Sequence, residues 1–424
     1  MRSILFCLTV LLPLACDEYS SSDAAGGGTG SKNQNLAGAS NNNGGTHAAE
    51  GGRDSSTGPV ASASGGKSAT PVSEARPHSS YGGNGNAGSG ASLGSSVAGG
   101  VSIGEAGNAG TASEPTMSQL NCGLPEVGIA GVPRPAGTAG GFKVIDWAGF
   151  KGAVSFTFDD GNSSQLDSYA ALMKLGVRYT FFLIGQNATQ NVVNWQRAAA
   201  DGNELGNHTQ YHVQGDAIAS DVGAGQKTLE STFNVKAYTM AAPYGNDYSA
   251  IAPNFHFLNR GTANGLMLPN ADAEAFETPC FIPGPGEKVA VFDAEIGAAR
   301  DGNGWKVILI HGFTGDSSAF NPVDLDQFTQ AVEHAKAPGD LWIDTFANVG
   351  AYWRGQAALS KSQVTTSGTE QTWIWSLPAH FPPDKCLRVT VSGGTLQQNG
   401  RVLPWNEHGY YEIALDAGSV TLSQ

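Results

Sequence analysis

Two adjacent carboxylates, Asp159 and Asp160, end an apolar run in the stretch SFTFDDGNSS. Like charges side by side repel each other, and burying either one without a partner is costly. The stretch GNHTQYH carries His208 and His212, whose spacing puts both imidazoles on one side of a single turn, where they can offer two nitrogens to one metal ion. A third histidine, His311, ends the apolar stretch VILIH. Two imidazoles and one carboxylate with open positions are typical of a catalytic zinc site.

Each of these signals has a simpler interpretation when it is taken alone. The DDG triplet is more often a solvated strand end followed by a turn, and a single pair of histidines four residues apart is more often coincidence. The combination of both with a third histidine at the end of an apolar run favours a site.

The elements that would position these residues alternate between strands and helices. Apolar stretches at 153–158, 178–185 and 306–313 predict strands, and the alternation of apolar with polar residues over 153–158 predicts that this strand is half-buried. Residues 322–336 predict a helix, with Pro322 near its start. Alternating strands and helices imply a parallel sheet or barrel with helices outside, in which functional side chains gather at the carboxyl ends of the strands.

The character of the sequence changes after residue 358. The stretches TWIWSL, CLRVTVSG, YYEIAL and SVTLSQ predict strands separated by turns, without a helical pattern. Residues 359–424 are therefore predicted to form a small C-terminal β-sandwich. Trp373 and Trp375 lie on the same face of one of these strands, and core packing is favoured over a sugar-binding platform as their role.

The first 120 residues predict export and a flexible spacer. Residues 1–16 hold one positive charge and then an apolar run too short to span a bilayer, which predicts a signal peptide. The run ends in Ala15 and Cys16, as in lipoprotein signals, so lipid anchoring at Cys16 and plain cleavage with secretion both stay open. Residues 17–120 are rich in Gly, Ser, Ala, Asn and Thr and are predicted to be a disordered tether, because they hold too few large apolar side chains to offset the entropy of ordering. Such a tether either extends the reach of a catalytic domain or acts as a spacer of no particular function.

The charge and the cysteines restrict the partners of the protein. The chain of 424 residues has a net charge of −14 and no basic cluster, which argues against nucleic acid as a partner. Membrane contact is expected only through a lipid anchor at Cys16, and the sequence does not predict an oligomeric state. Cys122, Cys280 and Cys386 lie in the predicted folded part, so an exported protein can form one disulfide whose pairing the sequence does not give.

Four short motifs, in this order along the chain, resemble those of the polysaccharide deacetylases, also known as carbohydrate esterase family four or the nodulation-protein-B homology domain. TFDDG matches the first motif of that family, HTQYH matches the second, APYG at 242–245 matches the end of the third, and LIHGF resembles the fifth. The resemblance covers roughly residues 150–355. It implies a distorted (β/α) barrel, so residues 121–358 are predicted to be a deacetylase domain and residues 359–424 a β-rich accessory domain.

The resemblance also implies a role for the residues named above. Asp160, His208 and His212 would hold a divalent metal ion, with zinc expected and cobalt as the alternative. Asp159 would be the general base that activates water.

Two further residues complete the implied chemistry. His311 would be the general acid that protonates the leaving amine or alcohol, and the backbone N–H of Tyr244 would stabilise the tetrahedral intermediate. The implied reaction is the removal of an N- or O-linked acetyl group from an extracytoplasmic polysaccharide. Chitin-like polymers of N-acetylglucosamine, peptidoglycan and xylan all stay open as the substrate.

The sequence departs from the family in its third motif. That motif normally begins with an arginine that orients and charge-balances the catalytic aspartate, whereas this chain has Ala241 there. Arg260, at the end of the next predicted strand, either replaces that arginine as the partner of Asp159 or is an exposed surface residue. The fourth motif is represented only by Asp301 and Trp305 in the stretch DGNGW. These departures leave an alternative, a catalytically decayed surface lipoprotein that binds polysaccharide, but the set of named catalytic residues favours an enzyme.

Overall fold

The computed structural model describes residue 120 and residues 122–424. The predicted signal peptide at 1–16 with its Cys16 lies outside the described residues, and so does the predicted tether over 17–120 except for its last residue. The strands are β1 Lys143–Val144, β2 Gly152–Asp160, β3 Thr180–Leu183, β4 Glu204–Asn207, β5 Thr239–Ala241, β6 Leu258–Arg260, β7 Trp305–Ile310, β8 Leu341–Ile343, β9 Gln363–Ser367, β10 Glu370–Ile374, β11 Cys386–Thr390, β12 Thr395–Gln398, β13 Arg401–Val402, β14 Tyr411–Ala414 and β15 Ser419–Ser423. The helices are α1 Ser163–Asp167, α2 Tyr169–Lys174, α3 Gly185–Ala188, α4 Val192–Ala200, α5 Ala219–Phe233, α6 Val289–Asp301, α7 Leu325–Lys336 and α8 Phe346–Ser360. Within this part of the chain no helix has the length and apolar character needed to cross a membrane.

A curled parallel sheet forms the centre of the fold. Its strand order is β6-β5-β4-β3-β2-β7, and β8 pairs with the first half of β2. The outer strands β6 and β7 are linked through the segment between them, because Arg260 bridges to Thr278 and Phe281 bridges to Ile308. Helices α2, α4, α6 and α7 pack against one face of the sheet in a shared hydrophobic cluster. The predicted α/β barrel is confirmed, and it is distorted where the irregular segment takes the place of a strand.

Strand β2 is buried on both faces, so the half-buried strand predicted for residues 153–158 is wrong. On one face Phe156 and Phe158 pack against Phe328 of α7, with ring centroids 5.4 and 5.7 Å away. On the other face the Thr157 hydroxyl donates to the Ile308 carbonyl at 3.1 Å. The alternation of apolar and polar residues therefore reflects two different interior faces, as expected for a central parallel strand.

Helices α5 and α6 are not predicted by the sequence pattern, and α5 shows why. A Cβ atom at Gly225 would lie 2.4 Å from Oδ1 of Asn207 and 2.7 Å from the carbonyl carbon of Thr209. The same Asn207 donates from Nδ2 to the Val222 carbonyl at 3.0 Å and accepts from the Thr209 N–H at 2.9 Å. Helix α5 thus packs directly on the turn that follows β4. The small residues required by this close approach weaken the apolar periodicity from which helices are predicted.

Two antiparallel sheets lie at the C-terminus, in agreement with the predicted β-rich region. Their strand orders are β1-β11-β14 and β13-β12-β15-β10-β9. Trp375 is buried and donates its indole N–H to the Leu415 carbonyl at 2.9 Å, and Trp373 stacks on Phe142 with ring centroids 4.1 Å apart. Both tryptophans therefore pack as predicted. The domain boundaries at 121–358 and 359–424 remain predictions.

A disulfide joins Cys122 to Cys386, which is the pairing that the sequence left open. The bond spans 264 residues and fastens the beginning of the described chain to β11. Cys280 is a buried free thiol.

Candidate active site

The two aspartates lie where β2 ends, and they line the same cleft. Asp159 is 2% exposed, whereas Asp160 is partly exposed. Asp160 and Gly161 both adopt left-handed backbone conformations with φ of 72°. This conformation is uncommon for aspartate and is found most often where the surrounding structure enforces it, as in active sites.

Two histidines from the turn after β4 face Asp160. His208 donates from Nδ1 to the Ala241 carbonyl at 2.9 Å, which leaves the lone pair of Nε2 free, and Nε2 lies 3.4 Å from Oδ1 of Asp160. The backbone N–H of His212 donates to Oγ1 of Thr209 at 3.0 Å, and Nε2 of His212 lies 3.7 Å from the same Asp160 oxygen. The ligand atoms of Asp160, His208 and His212 all lie within 4.8 Å of one another.

At Asp160 and His212 the pKa values favour the forms that bind a cation. Burial raises the pKa of Asp160, but the hydrogen bond and charge of His208 and the charges of His311 and His212 outweigh burial and lower this pKa to about 2. Burial and the neighbouring His208 lower the pKa of His212 to about 4. Burial opposes protonation of His208, but the negative charges of Asp159 and Asp160 raise its pKa. An ionised Asp160 and a neutral His212 are suited to bind a divalent metal ion. The negative charges that raise the pKa of His208 would also attract the metal ion, which would compete with the proton at this imidazole.

Arg260 is the buried partner of Asp159. Its Nη2 donates to Oδ2 of Asp159, its Nη1 donates to the Gly261 carbonyl at 3.0 Å, and its guanidinium lies 5.6 Å from the centre of the Phe182 ring. The side chain of Arg260 is buried, so the alternative of an exposed surface arginine is wrong. In the register of β5 with β6, Arg260 pairs directly with Ala241. The guanidinium therefore reaches Asp159 from the strand next to the one that carries the third motif.

His311 and Tyr244 border the same cleft from two other strand ends. His311 follows β7, and burial lowers the pKa of its imidazole against the attraction of Asp159 and Asp160. Tyr244 has a φ of 56° and an exposed ring whose centre lies 4.3 Å from that of His212. The cleft has a volume of 490 Å³ and is lined by Asp159, Asp160, His208, His212, Ala242, Tyr244, Gly245, Arg260, Thr262, Ile282, Leu309, His311 and Phe320.

Two amide side chains, which are not among the site residues predicted from the sequence, connect the strand ends that carry Asp159, Asp160 and His311. Asn162 donates from Nδ2 to Oδ2 of Asp160 at 3.3 Å and to the His311 carbonyl at 2.8 Å. Gln165 donates from Nε2 to the Asp159 carbonyl at 2.6 Å and to the His311 carbonyl at 2.9 Å. These bonds tie the end of β2 to the end of β7. The only sequence signal for them is their position directly after TFDDG.

Asp301 and Trp305, the two residues that represent the fourth motif, do not reach the cleft. Trp305 is fully buried in β7, where its indole donates to Oγ of Ser155 at 3.1 Å and its ring packs 5.1 Å from that of Phe346. Asp301 is the last residue of α6. Trp305 is therefore part of the core, and Asp301 is part of the end of α6.

The fold and the site together define an α/β-barrel protein with a His-His-Asp cluster, suited to a divalent metal ion, at the carboxyl edge of its sheet. The family model described as polysaccharide deacetylase matches residues 149–255, a segment that holds the DDG turn, both histidines of HTQYH and the APYG stretch. The match confirms the resemblance predicted from the motifs.

The chain is also similar to individual proteins. It is 29% identical to a gellan lyase from a Bacillus species over 155 residues, which are 35% of this chain and 6% of that protein. It is 27% identical to a bifunctional xylanase/deacetylase from Pseudobutyrivibrio xylanivorans over 192 residues, 45% of this chain and 29% of that one. It is 31% identical to the peptidoglycan-N-acetylglucosamine deacetylase PgdA of Listeria monocytogenes over 99 residues, 22% of this chain and 21% of that one. The chain thus spans less than a third of the length of these curated relatives.

Among solved structures, the Xyl-CE4 domain of a multidomain xylanase from the hindgut metagenome of Trinervitermes trinervoides is similar to this chain. The sequence identity is 22% and the TM-score is 0.33, and the match covers 47% of this chain and 89% of that domain.

Proposed function

We propose that this chain is a metal-dependent hydrolase that removes acetyl groups from an extracytoplasmic polysaccharide. The observation that carries the proposal is the position of Asp159, whose Oδ1 is buried and has no hydrogen-bond partner among the described residues. A buried carboxylate oxygen that is left free beside a candidate metal cluster is suited to accept a proton. The deacetylase family match, and relatives named for deacetylase activity on xylan or peptidoglycan, support the same reaction.

Asp160, His208 and His212 would hold the metal ion, with zinc proposed and cobalt as the alternative. When bound, the metal supplies Lewis-acid polarisation of the acetyl oxygen and a lower pKa for water in the cleft. Asn162 holds the second oxygen of Asp160, so only one oxygen of this carboxylate faces the histidines.

The remaining residues would move the protons and stabilise the charge. Arg260 fixes one oxygen of Asp159, and the other oxygen takes the proton of the attacking water. The backbone N–H of Tyr244 would donate to the oxyanion that develops on the acetyl carbonyl. Because burial lowers the pKa of His311, its imidazole would first take up a proton from solvent and then give it to the departing nitrogen or oxygen, so that acetate and a free amine or hydroxyl are the products.

The position of Arg260 also bears on the binding-only alternative. Ala241 favoured a decayed site because Asp159 would lack its positive partner. Arg260 brings a guanidinium to the same carboxylate from the paired position of β6, which supports a functional base. We therefore favour the enzyme over a polysaccharide-binding surface lipoprotein.

We also propose that the protein works outside the cytosol, either anchored through Cys16 or secreted. The Cys122–Cys386 disulfide supports this location, because such bonds persist in oxidising compartments. The signal peptide predicted at residues 1–16 supports it independently.

The activity is tested by acetate release from the purified chain with zinc or cobalt on chitooligosaccharides, peptidoglycan and acetylated xylan. We expect Asp159→Asn to lower kcat at least about 100-fold, since a positioned general base contributes that much. Asp167→Asn, an exposed aspartate in α1 outside the cleft, is the matched control and should keep wild-type turnover. If wild type and Asp159→Asn release the same background amount of acetate from every substrate, the proposed enzyme activity is contradicted. Sugar binding retained in that sample would then support the alternative.

Metal binding is tested without turnover. We expect added zinc to raise the melting temperature of the wild-type chain, because a ligand that binds only the folded state stabilises it. Asp160→Asn should remove most of this increase, whereas Asp167→Asn should keep it. An equal increase in all three proteins would show that the ion binds elsewhere.

A further inference from the structure

Phe320 is a large apolar side chain exposed in the cleft. Its side chain is 60% exposed, although phenylalanine is usually buried. The ring lines the cleft and lies 5.2 Å from the His311 ring at an interplanar angle of 79°. A single exposed apolar side chain is common on protein surfaces, so the significance of Phe320 depends on its position in the cleft and on its neighbours there.

The loop that carries Phe320, residues 311–324 between β7 and α7, is held by hydrogen bonds on several sides. Asp316 accepts from the Ser164 N–H at 2.9 Å, and the Ser318 hydroxyl donates to Oδ1 of Asn162 at 3.2 Å. Within the loop, the Thr314 N–H donates to the Val323 carbonyl at 2.9 Å. The exposure of Phe320 is thus a property of an anchored loop that is hydrogen-bonded to the turn next to Asp160.

A second exposed aromatic ring borders the same cleft at a different histidine. Tyr244 is 59% exposed and contacts His212, whereas Phe320 contacts His311. The residues proposed for catalysis therefore share one cleft with two exposed aromatic rings. The volume of 490 Å³ suits a ligand the size of one or two sugar rings.

We propose that Phe320 determines specificity by packing against the apolar C–H face of the pyranose ring next to the acetyl group. This inference rests on the proposed function and names a residue of this chain that would select the sugar ring of its substrate. The electron-rich face of an aromatic ring attracts the slightly positive hydrogens of such C–H bonds, and the contact buries apolar surface on both sides. An acyl group without a sugar ring cannot make this contact.

The proposal is tested by kinetics of acetate release by Phe320→Ala from an acetylated chitooligosaccharide or xylooligosaccharide and from ethyl acetate, which has neither a sugar ring nor an aromatic ring. We expect KM for the oligosaccharide to rise at least tenfold with a smaller change in kcat. The loss of kcat/KM should be at least tenfold larger for the oligosaccharide than for ethyl acetate. Phe320→Tyr should restore the oligosaccharide KM, and Val193→Ala, an exposed apolar residue on α4, should match wild type on both substrates. An equal loss on both substrates, or an unchanged oligosaccharide KM, would overturn the proposal.

A binding measurement separates this inference from the proposed function. Calorimetric titration of the same oligosaccharides into the Asp159→Asn chain, with and without Phe320→Ala, needs no turnover. Weaker binding by at least tenfold in Phe320→Ala supports the sugar contact even if no protein releases acetate, in which case only the proposed function fails. Equal affinity of the two chains, or no binding of any oligosaccharide to the chain that keeps Phe320, would overturn the sugar contact.

Discussion

The guanidinium of Arg260 and the carboxylate of Asp159 form an ion pair that is buried on both sides. Their separation along the chain is 101 residues. Burying two charges is costly, and removing one partner of such a pair costs about 3–5 kcal/mol because the other charge is left unpaired. An isolated substitution at Arg260 therefore changes both stability and catalysis, and a test has to separate the two.

We expect Arg260→Gln to lower kcat about 100-fold, because Asp159 loses the group that orients it. Adding Ala241→Arg to this variant should recover at least tenfold of the loss, since position 241 pairs with position 260 and can direct a guanidinium to the same carboxylate. Steady-state kinetics on the acetylated substrate and urea denaturation give the two readouts. Arg354→Gln, a buried arginine that bonds the Phe257 carbonyl outside the cleft, should lose stability with kcat unchanged. A double variant no faster than Arg260→Gln would contradict the replacement.

His256 is a buried histidine outside the cleft whose titration affects stability. Its Nδ1 donates to the Ala237 carbonyl at 3.2 Å and its Nε2 accepts from Nδ2 of Asn207 at 3.0 Å, so the ring is neutral. Burial lowers its pKa to about 3, below the value of about 6.5 in an unfolded chain. Between these two values the unfolded state binds the additional proton. Stability from the neutral ring is therefore complete above pH 6.5 and is lost as the pH falls toward 3.

From pH 7.5 to pH 5, His256 is expected to account for a decrease of about 2 kcal/mol in the free energy of unfolding. In His256→Gln this contribution should be absent, so the decrease should be smaller than in wild type by that amount. Urea denaturation at the two pH values measures the difference. Val222→Ala changes a buried residue whose carbonyl accepts from the same Asn207 amide as His256, and it affects no titrating group, so it should lower stability equally at both pH values. If the free energy of unfolding decreases between the two pH values as much in His256→Gln as in wild type, His256 is not the group responsible.

At the scale of elements, the site depends on turns at strand ends, which are held in position by hydrogen bonds to neighbouring elements. Asp316, in the loop after β7, accepts from the N–H of Ser164 and, at 3.2 Å, from the hydroxyl of Ser163 at the start of α1. Helix α1 follows the turn that carries Asp159 and Asp160. The loop after β7 and the turn after β2 therefore fix each other.

Replacing Asp316 with alanine removes the acceptor at the start of α1. We expect a loss of about 1 kcal/mol in the free energy of unfolding, as for the loss of a capping side chain. We also expect a higher KM for the oligosaccharide, because the loop carries Phe320. Urea denaturation and steady-state kinetics measure the two effects. Asp167→Ala, at the other end of α1, should change neither, and an unchanged KM in Asp316→Ala would show that the loop keeps its position without this contact.

The same elements show what the sequence can and cannot predict. The positions of β2, β3 and β7 follow from apolar stretches in the sequence, and the motif residues Asp160, His208 and His212 meet because parallel strands end at one edge. The sequence leaves the partner of Asp159 open, because the contact of a side chain on a neighbouring strand depends on register rather than on spacing within a motif. The sequence does not predict Asn162, because its bond to the His311 carbonyl joins residues far apart in the chain, nor Phe320, because its exposure in the cleft depends on the fold of its loop.

At the scale of the whole described chain, its beginning and its end are joined. Strand β1 pairs with β11, and Cys122 is bonded to Cys386 in the same strand. Arg388, also in β11, donates to the carbonyls of Pro125 at 2.8 Å and Ala148 at 2.9 Å. The segment before the barrel thus depends on the C-terminal sheet for its position.

Removing the disulfide should destabilise the chain without changing its catalytic residues. For Cys122→Ser combined with Cys386→Ser we expect a loss of about 3–5 kcal/mol in the free energy of unfolding, because the bond closes a loop of 264 residues that otherwise gains entropy on unfolding. Urea denaturation with and without dithiothreitol measures this. Dithiothreitol should lower the free energy of unfolding of wild type and of the Cys280→Ser control to that of the double variant. It should leave the free energy of unfolding of the double variant unchanged. Equal stability of wild type and double variant would contradict a structural role for the bond, whereas kcat at temperatures below melting should stay the same because neither cysteine lines the cleft.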